Sequence, residues 1–241
     1  MNGEAMKLLL DEAHAAEDIE IIDIGDVKFS SRVLHDTRKP VPRPEAMKLA
    51  TLIGLVDYIK SKPDAFEALS FVHVHGPEEV QFKSPFSGPV PSRATYAFAR
   101  ADCGFKFGQF YDSESFIIAL QALFVQTPIT KALLLWLGQI KDESVKTSED
   151  DGTVQTVTAR AGAVLRAEVS VPNPVALQPY RTFRELDQPE SGFVFRMGPG
   201  KEGARPTCAL FEADGGAWRI VAAERIKAYL EPRLPGITII A

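Results

Sequence analysis

His73 and His75 are one residue apart, and on a β-strand that spacing puts both side chains on one face. Two imidazoles so placed could bind one metal ion, but a site needs a third ligand. His14, His35 or a carboxylate would have to supply it, and nothing nearby has ligand spacing. The competing expectation is a pair of histidines on the polar face of an edge strand. Asp64, Glu79 and Lys83 form a looser set. A metal-dependent phosphodiesterase or nuclease holds Mg²⁺ with carboxylates and steadies phosphate charge with lysine. Alternation places Glu79, Gln81 and Lys83 on one strand face, which reads equally as a solvated face of mixed charge.

Tyr180, Arg181 and Arg184 are the best candidates for contact with a ligand or an interface. A guanidinium binds anions through a planar fork and stacks on rings, so this group, with Arg196, could hold single-stranded nucleic acid. If Ala176–Arg184 is a strand, Tyr180 and Thr182 share one face, while Arg181 and Phe183 share the other. The plainer alternative is a strand with inward aromatics and outward arginines.

Other fragments fall short of working motifs. Gly198-Pro199-Gly200-Lys201 resembles part of a phosphate loop, but Glu202 stands where Ser or Thr would ligate the metal, and no helical pattern follows. Glu149-Asp150-Asp151-Gly152 lacks the alternating acids of an EF-hand and reads as a turn. No GxSxG elbow occurs. All 4 histidines precede residue 76, which confines histidine chemistry to the N-terminal third. No catalytic residue is assigned and no cofactor is expected.

The elements that would carry these residues can be read from periodicity and punctuation. Residues 4–17 can form a short amphipathic helix, and Ile19–Ile24 a strand or extended arm closed by Gly25. Thr37–Pro44 holds three prolines and three basic residues and reads as an extended hinge. A helix is predicted from Glu45 to about Lys60, with Pro63-Asp64 ending it and a short helix possible over Ala65–Leu69. Phe71–His75 and Glu79–Lys83 read as a hairpin across Gly76-Pro77, followed by a strand over Arg93–Arg100. Asp112 or Ser113 can cap a buried helix over Phe116–Phe124. Thr127-Pro128 can start a second, giving a helical hairpin to about Ile140.

Beyond that point Lys141–Gly152 reads as a charged loop. Strands follow near Thr153–Thr158, Val164–Val171, Ala176–Arg184, Phe193–Met197 and Cys208–Glu212. Ala217–Leu230 is predicted helical, and Ile237–Ile240 is predicted to be a strand. Prolines at 172, 174, 179 and 189 place strands at edges or bulges. Helices and strands do not alternate strictly. The expected fold class is therefore α+β, with mostly antiparallel strands, a helical hairpin and an N-terminal arm. Residues 1–43 would form the arm and hinge, and 44–241 a single body.

Composition bounds the function classes. The chain has 241 residues, 45% of them hydrophobic and 24% charged, enough for a real core without metal or disulfides. A net charge of -5 makes nucleic acid an unfavoured partner for the chain as a whole. No run approaches the roughly 18 apolar residues of a membrane span, and Leu8–Leu10 is too short for a signal peptide. No membrane association is expected. Cys103 and Cys208 lack CxxC partners and read as two buried thiols in a reducing, cytoplasmic setting, with a disulfide between them unsupported.

One stretch carries a family resemblance. Val171–Met197 (VPNPVALQPYRTFRELDQPESGFVFRM), Leu210–Trp218 (LFEADGGAW) and Thr51–Asp64 (TLIGLVDYIKSKPD) together resemble the YfdQ-like family of phage and prophage proteins. The resemblance covers most of the chain from about residue 40. The family is a domain of unknown function, so the resemblance implies a viral or prophage origin and the bacterial host cytosol, and transfers no catalytic residue. The expected function is a non-catalytic accessory protein that forms a homo-oligomer or binds a host protein. The metal-dependent nuclease and the binder of single-stranded nucleic acid are the alternatives.

Overall fold

The computed structural model describes Lys7 and residues 21–30, 45–86, 92–139, 146–150, 155–161, 164–170, 173–198 and 206–241. The predicted helix over 4–17 and hinge over 37–44 lie outside these residues, Lys7 apart. The chain divides into two compact units, Met1–Glu45 with Ser87–Pro91, and Ala46–Phe86 with Ser92–Ala241. In the first, strands β1 (Ile21–Ile24) and β2 (Val27–Ser30) pair antiparallel around Gly25, whose φ of +62° suits glycine. Lys28 and Asp23 are an ion pair at 3.6 Å across this hairpin.

The second unit opens with β3 (Met47–Leu49) and helix α1 (Leu52–Ser61). Here the structure corrects the helix predicted from Glu45. Met47–Leu49 pair in parallel with β6 (Thr95–Arg100), and the helix begins only after Thr51. The start is set by backbone N–H groups that need partners. Gly54 N–H donates to Thr51 Oγ1 at 3.0 Å. Leu52, Leu55, Val56 and Ile59 then form the buried stripe. No helix follows over Ala65–Leu69; Ser70 N–H closes a turn onto the Glu67 carbonyl at 3.3 Å.

Strands β4 (Phe71–Gly76) and β5 (Glu79–Lys83) form the predicted hairpin, and β6 continues the meander. With β14 (Thr238–Ile240) they complete a five-stranded sheet in the order β14-β4-β5-β6-β3. Its two edge pairings are parallel and the rest antiparallel. Helix α1 and helix α4 (Trp218–Leu230) supply one hydrophobic core with Val72, Val74, Val80, Phe82, Ala97 and Ala99 of the sheet. Helix α4 buries Trp218, Ala222, Ile226 and Leu230, one residue per turn.

A second core lies on a four-stranded antiparallel sheet. Its order is β11 (Val175–Leu177), β12 (Ser191–Gly198), β13 (Thr207–Glu212), β7 (Tyr111–Asp112). Helices α2 (Ser113–Leu123) and α3 (Pro128–Gln139) form the expected helical hairpin. Phe116, Leu120, Leu133 and Leu137 pack with Leu177, Phe193, Phe195 and Leu210. Both predicted caps are present. Ser115 N–H donates to Asp112 Oδ1 at 2.9 Å, and Thr130 N–H to Thr127 Oγ1 at 3.1 Å.

Strands β8 (Lys146–Asp150), β9 (Gln155–Ala161) and β10 (Val164–Ser170) make a separate antiparallel sheet. This corrects the charged loop expected over Lys141–Gly152, of which five residues are strand. A ladder needs only backbone N–H and C=O groups, so charged side chains do not forbid it. The α+β class and the mostly antiparallel pairing hold. Among the described residues no helix is long and apolar enough to cross a membrane.

Candidate functional site

The strand expected over Ala176–Arg184 stops at Leu177. Pro179 has no N–H to give a ladder, and only an isolated bridge to Phe124 continues the pairing. The chain then runs as a loop from Gln178 to Glu190, held by side chains. Gln188 Oε1 accepts from the N–H groups of Arg181 at 3.2 Å and Thr182 at 3.3 Å, while Gln188 Nε2 donates to the carbonyls of Phe183 and Leu186. Phe183 is buried in the first core. Glu185 Oε1 accepts from Leu52 N–H at 2.7 Å and Ile53 N–H at 3.2 Å, capping α1 from a distant part of the chain. Tyr180 N–H donates to the Leu123 carbonyl at the end of α2. The loop thus ties the two cores together.

Arg181 is the centre of this tie and is 1% exposed. Its Nη1 donates to Glu212 Oε1 at 2.6 Å, and its Nη2 donates to Ser191 Oγ and lies 3.9 Å from Asp214 Oδ2. Ser191 Oγ donates in turn to Asp214 Oδ2 at 2.5 Å. The guanidinium lies over the Trp218 ring at 3.8 Å and near the Phe193 ring at 5.4 Å. Burial pulls the Arg181 pKa down to about 10, against the opposing pull of Glu212 and Asp214, so it is charged at neutral pH. Burial raises Asp214, but the Ser191 and Gly216 hydrogen bonds and Arg181 outweigh it and hold the carboxyl below its usual range.

The three arginine-loop candidates therefore separate. Arg181 faces inward and is used by the fold. Arg184 is exposed and stacks on the half-exposed Tyr180 ring at 4.1 Å. The Arg181 partners Ser191, Glu212, Asp214 and Trp218 were not singled out from sequence. The Asp214-Gly215-Gly216 turn before an aromatic was the available signal.

His73 and His75 do share a face, with ring centroids 5.7 Å apart. They lie on the side of the five-stranded sheet opposite α1 and α4, since Val72 and Val74 point into the core. Among the described residues no group of three His, Cys, Asp or Glu side chains could hold a metal ion. His14 and His35 lie outside the described residues. Burial lowers the His73 pKa, helped by Lys83, His75 and Arg93. Asp64 is distant in role, accepting from Tyr58 Oη at 2.6 Å. Burial raises Glu79, yet hydrogen bonds from Arg100 and Gln81 bring its carboxyl below the usual range.

The same outer face carries Gln81 and Lys83, as alternation predicted, together with residues that sequence reasoning left aside. Alternation puts Phe71, Gln81, Lys83, Phe98 and Arg100 beside the histidines, and Lys48 of β3 is in register with Phe98. Arg93 lies 5.0 Å from the Phe71 ring and 4.1 Å from the exposed Phe86 ring. Lys48, Phe98 and Arg100, with Leu49, Ala50, Ala101 and Asp102, line an open depression of about 430 Å³.

Both cysteines are free, Cys208 buried and Cys103 partly so; burial pushes the Cys208 thiol up to about 12 and also raises Cys103. No family model, curated protein or solved structure matches the chain.

Proposed function

We propose that the protein is a non-catalytic accessory protein of a phage or prophage, acting in the host cytosol by self-association into a homo-oligomer. The observation that carries this reading is the β1–β2 hairpin. Its Ile21, Ile22 and Ile24 are all exposed, Ile24 at 57%. A two-stranded hairpin without a covering layer is marginal in water, and exposed isoleucines gain most from burial against a second surface. The prolines of 37–44 suit a spacer that lets the hairpin reach a neighbouring copy. A closed symmetric oligomer is the common outcome of such reach. A host protein is the second occupant this face could accept.

Light scattering on the purified chain tests the proposal. A mass of two or more chains at micromolar concentration is expected, falling to one chain in the Ile22→Ser/Ile24→Ser variant. A parent protein with the mass of a single chain removes self-association.

A further inference from the structure

The chain is acidic overall, at -5, but the outer face of the five-stranded sheet is not. Lys48, Lys83, Arg93 and Arg100 stand on or beside it, with Glu79 and Asp102 among the carboxylates near them. Glu79 is already engaged by Arg100 through both Nε and Nη2. Aromatic faces are interleaved with these cations. Phe98 is half-buried, Phe86 is 64% exposed, and the His73 ring lies beside that of His75. Arg100 lies 5.6 Å from the Phe98 ring, so a cation and a π-face are presented together.

We propose that this face binds single-stranded nucleic acid, with a base stacked on Phe98 in the depression between Lys48 and Arg100, and phosphates running past Lys83 and Arg93. The charge and the aromatics select the occupant jointly. A polyanion alone would need only the cations. An apolar partner would not be matched by four of them. Unpaired bases on a phosphate backbone satisfy both, because every base has a π-face and stacking tolerates any sequence. A duplex hides its base faces and cannot use Phe98 in this way. Five strands spaced by ~4.8 Å give a platform roughly 19 Å across, long enough for a few extended nucleotides. Neither Tyr180 nor Arg184 is on these strands, and the inference does not rest on self-association.

Fluorescence anisotropy on the full chain provides the test. The probes are a labelled oligothymidylate of about 20 nucleotides and a duplex of equal length, in about 50 mM salt. Binding of the single strand is expected, weakening as salt rises, with the duplex bound less tightly. Phe98→Ala should weaken it roughly tenfold, Lys83→Gln should weaken it and shorten the salt slope by about one, and Arg184→Ala should leave it unchanged. Circular dichroism of each variant checks folding. If Phe98→Ala does not fold, Lys83→Gln and Lys48→Gln decide alone. No binding at low salt, parent-like affinity in the folded face variants, a duplex bound as tightly, or equal competition by polyglutamate would each overturn the proposal.

Discussion

A guanidinium taken out of water costs several kcal/mol unless it is paired, and removing one member of a buried pair costs more than the pair was worth. Arg181 is in that position, with Glu212, Ser191 and Asp214 around its nitrogens and Trp218 beneath it. Arg181→Ala would leave two carboxylates facing an empty site, and a loss of about 3–5 kcal/mol is expected. Arg181→Lys would not restore the parent value, since an ammonium cannot reach both partners through one plane. Urea unfolding followed by tryptophan fluorescence measures both. A loss below about 1 kcal/mol for the alanine variant would show that the network is not needed. This arginine could not have been read correctly from its neighbours. Its flanking residues suggested an outward strand position, and the partners that bury it are 10, 31 and 33 residues further along.

At the level of elements, α1 shows how local and distant signals divide the work. Thr51 supplies a cap from within the segment, and Glu185 covers the two preceding N–H groups from the loop. Glu185→Ala should therefore lower stability by about 1 kcal/mol, the usual cost of a lost cap. Glu185→Gln keeps an acceptor oxygen and should lose less, the remainder being its charge at the positive helix end. Thermal unfolding of the two variants side by side separates these effects, and equal losses would mean that the hydrogen bonds contribute nothing beyond charge. Elements with local punctuation were legible: Asp112 and Thr127-Pro128 marked α2 and α3, and Gly76-Pro77 marked the β4–β5 hairpin. Met47–Leu49 and Lys146–Asp150 were not, because a short strand is defined by a partner that adjacent residues do not reveal.

For the molecule as a whole, acid is the informative stress. Asp214, Glu79 and Asp112 each have a folded-state carboxyl below the ordinary 3.8 for Asp or 4.5 for Glu. A group lowered in this way adds stability that is complete above its unfolded value and disappears as pH falls through its folded one. Stability should hold from neutrality to about pH 5 and fall steeply below about pH 4. Asp214→Asn should be least stable relative to the parent above about pH 5, with the gap narrowing towards about pH 3. Chemical unfolding at stepped pH measures this, and a constant gap across the range would contradict it. The α+β class was visible in the unpatterned mixture of helices and strands. The basic outer sheet face was not, since its cations lie on three strands and a loop and the total charge has the opposite sign.

The position of β14 has a consequence for the order of events in the cell. Residues 238–240 form an edge strand beside β4, whose residues 71–76 leave the ribosome far earlier. Until synthesis passes residue 240, β4 has one open edge and its Phe71–His73 backbone has no partner on that side. The Arg181 network likewise waits for Glu212, Asp214 and Trp218. The sheet therefore closes only after the long stretch between β4 and β14 has been made, so pairings of high sequence separation come last and slow its completion.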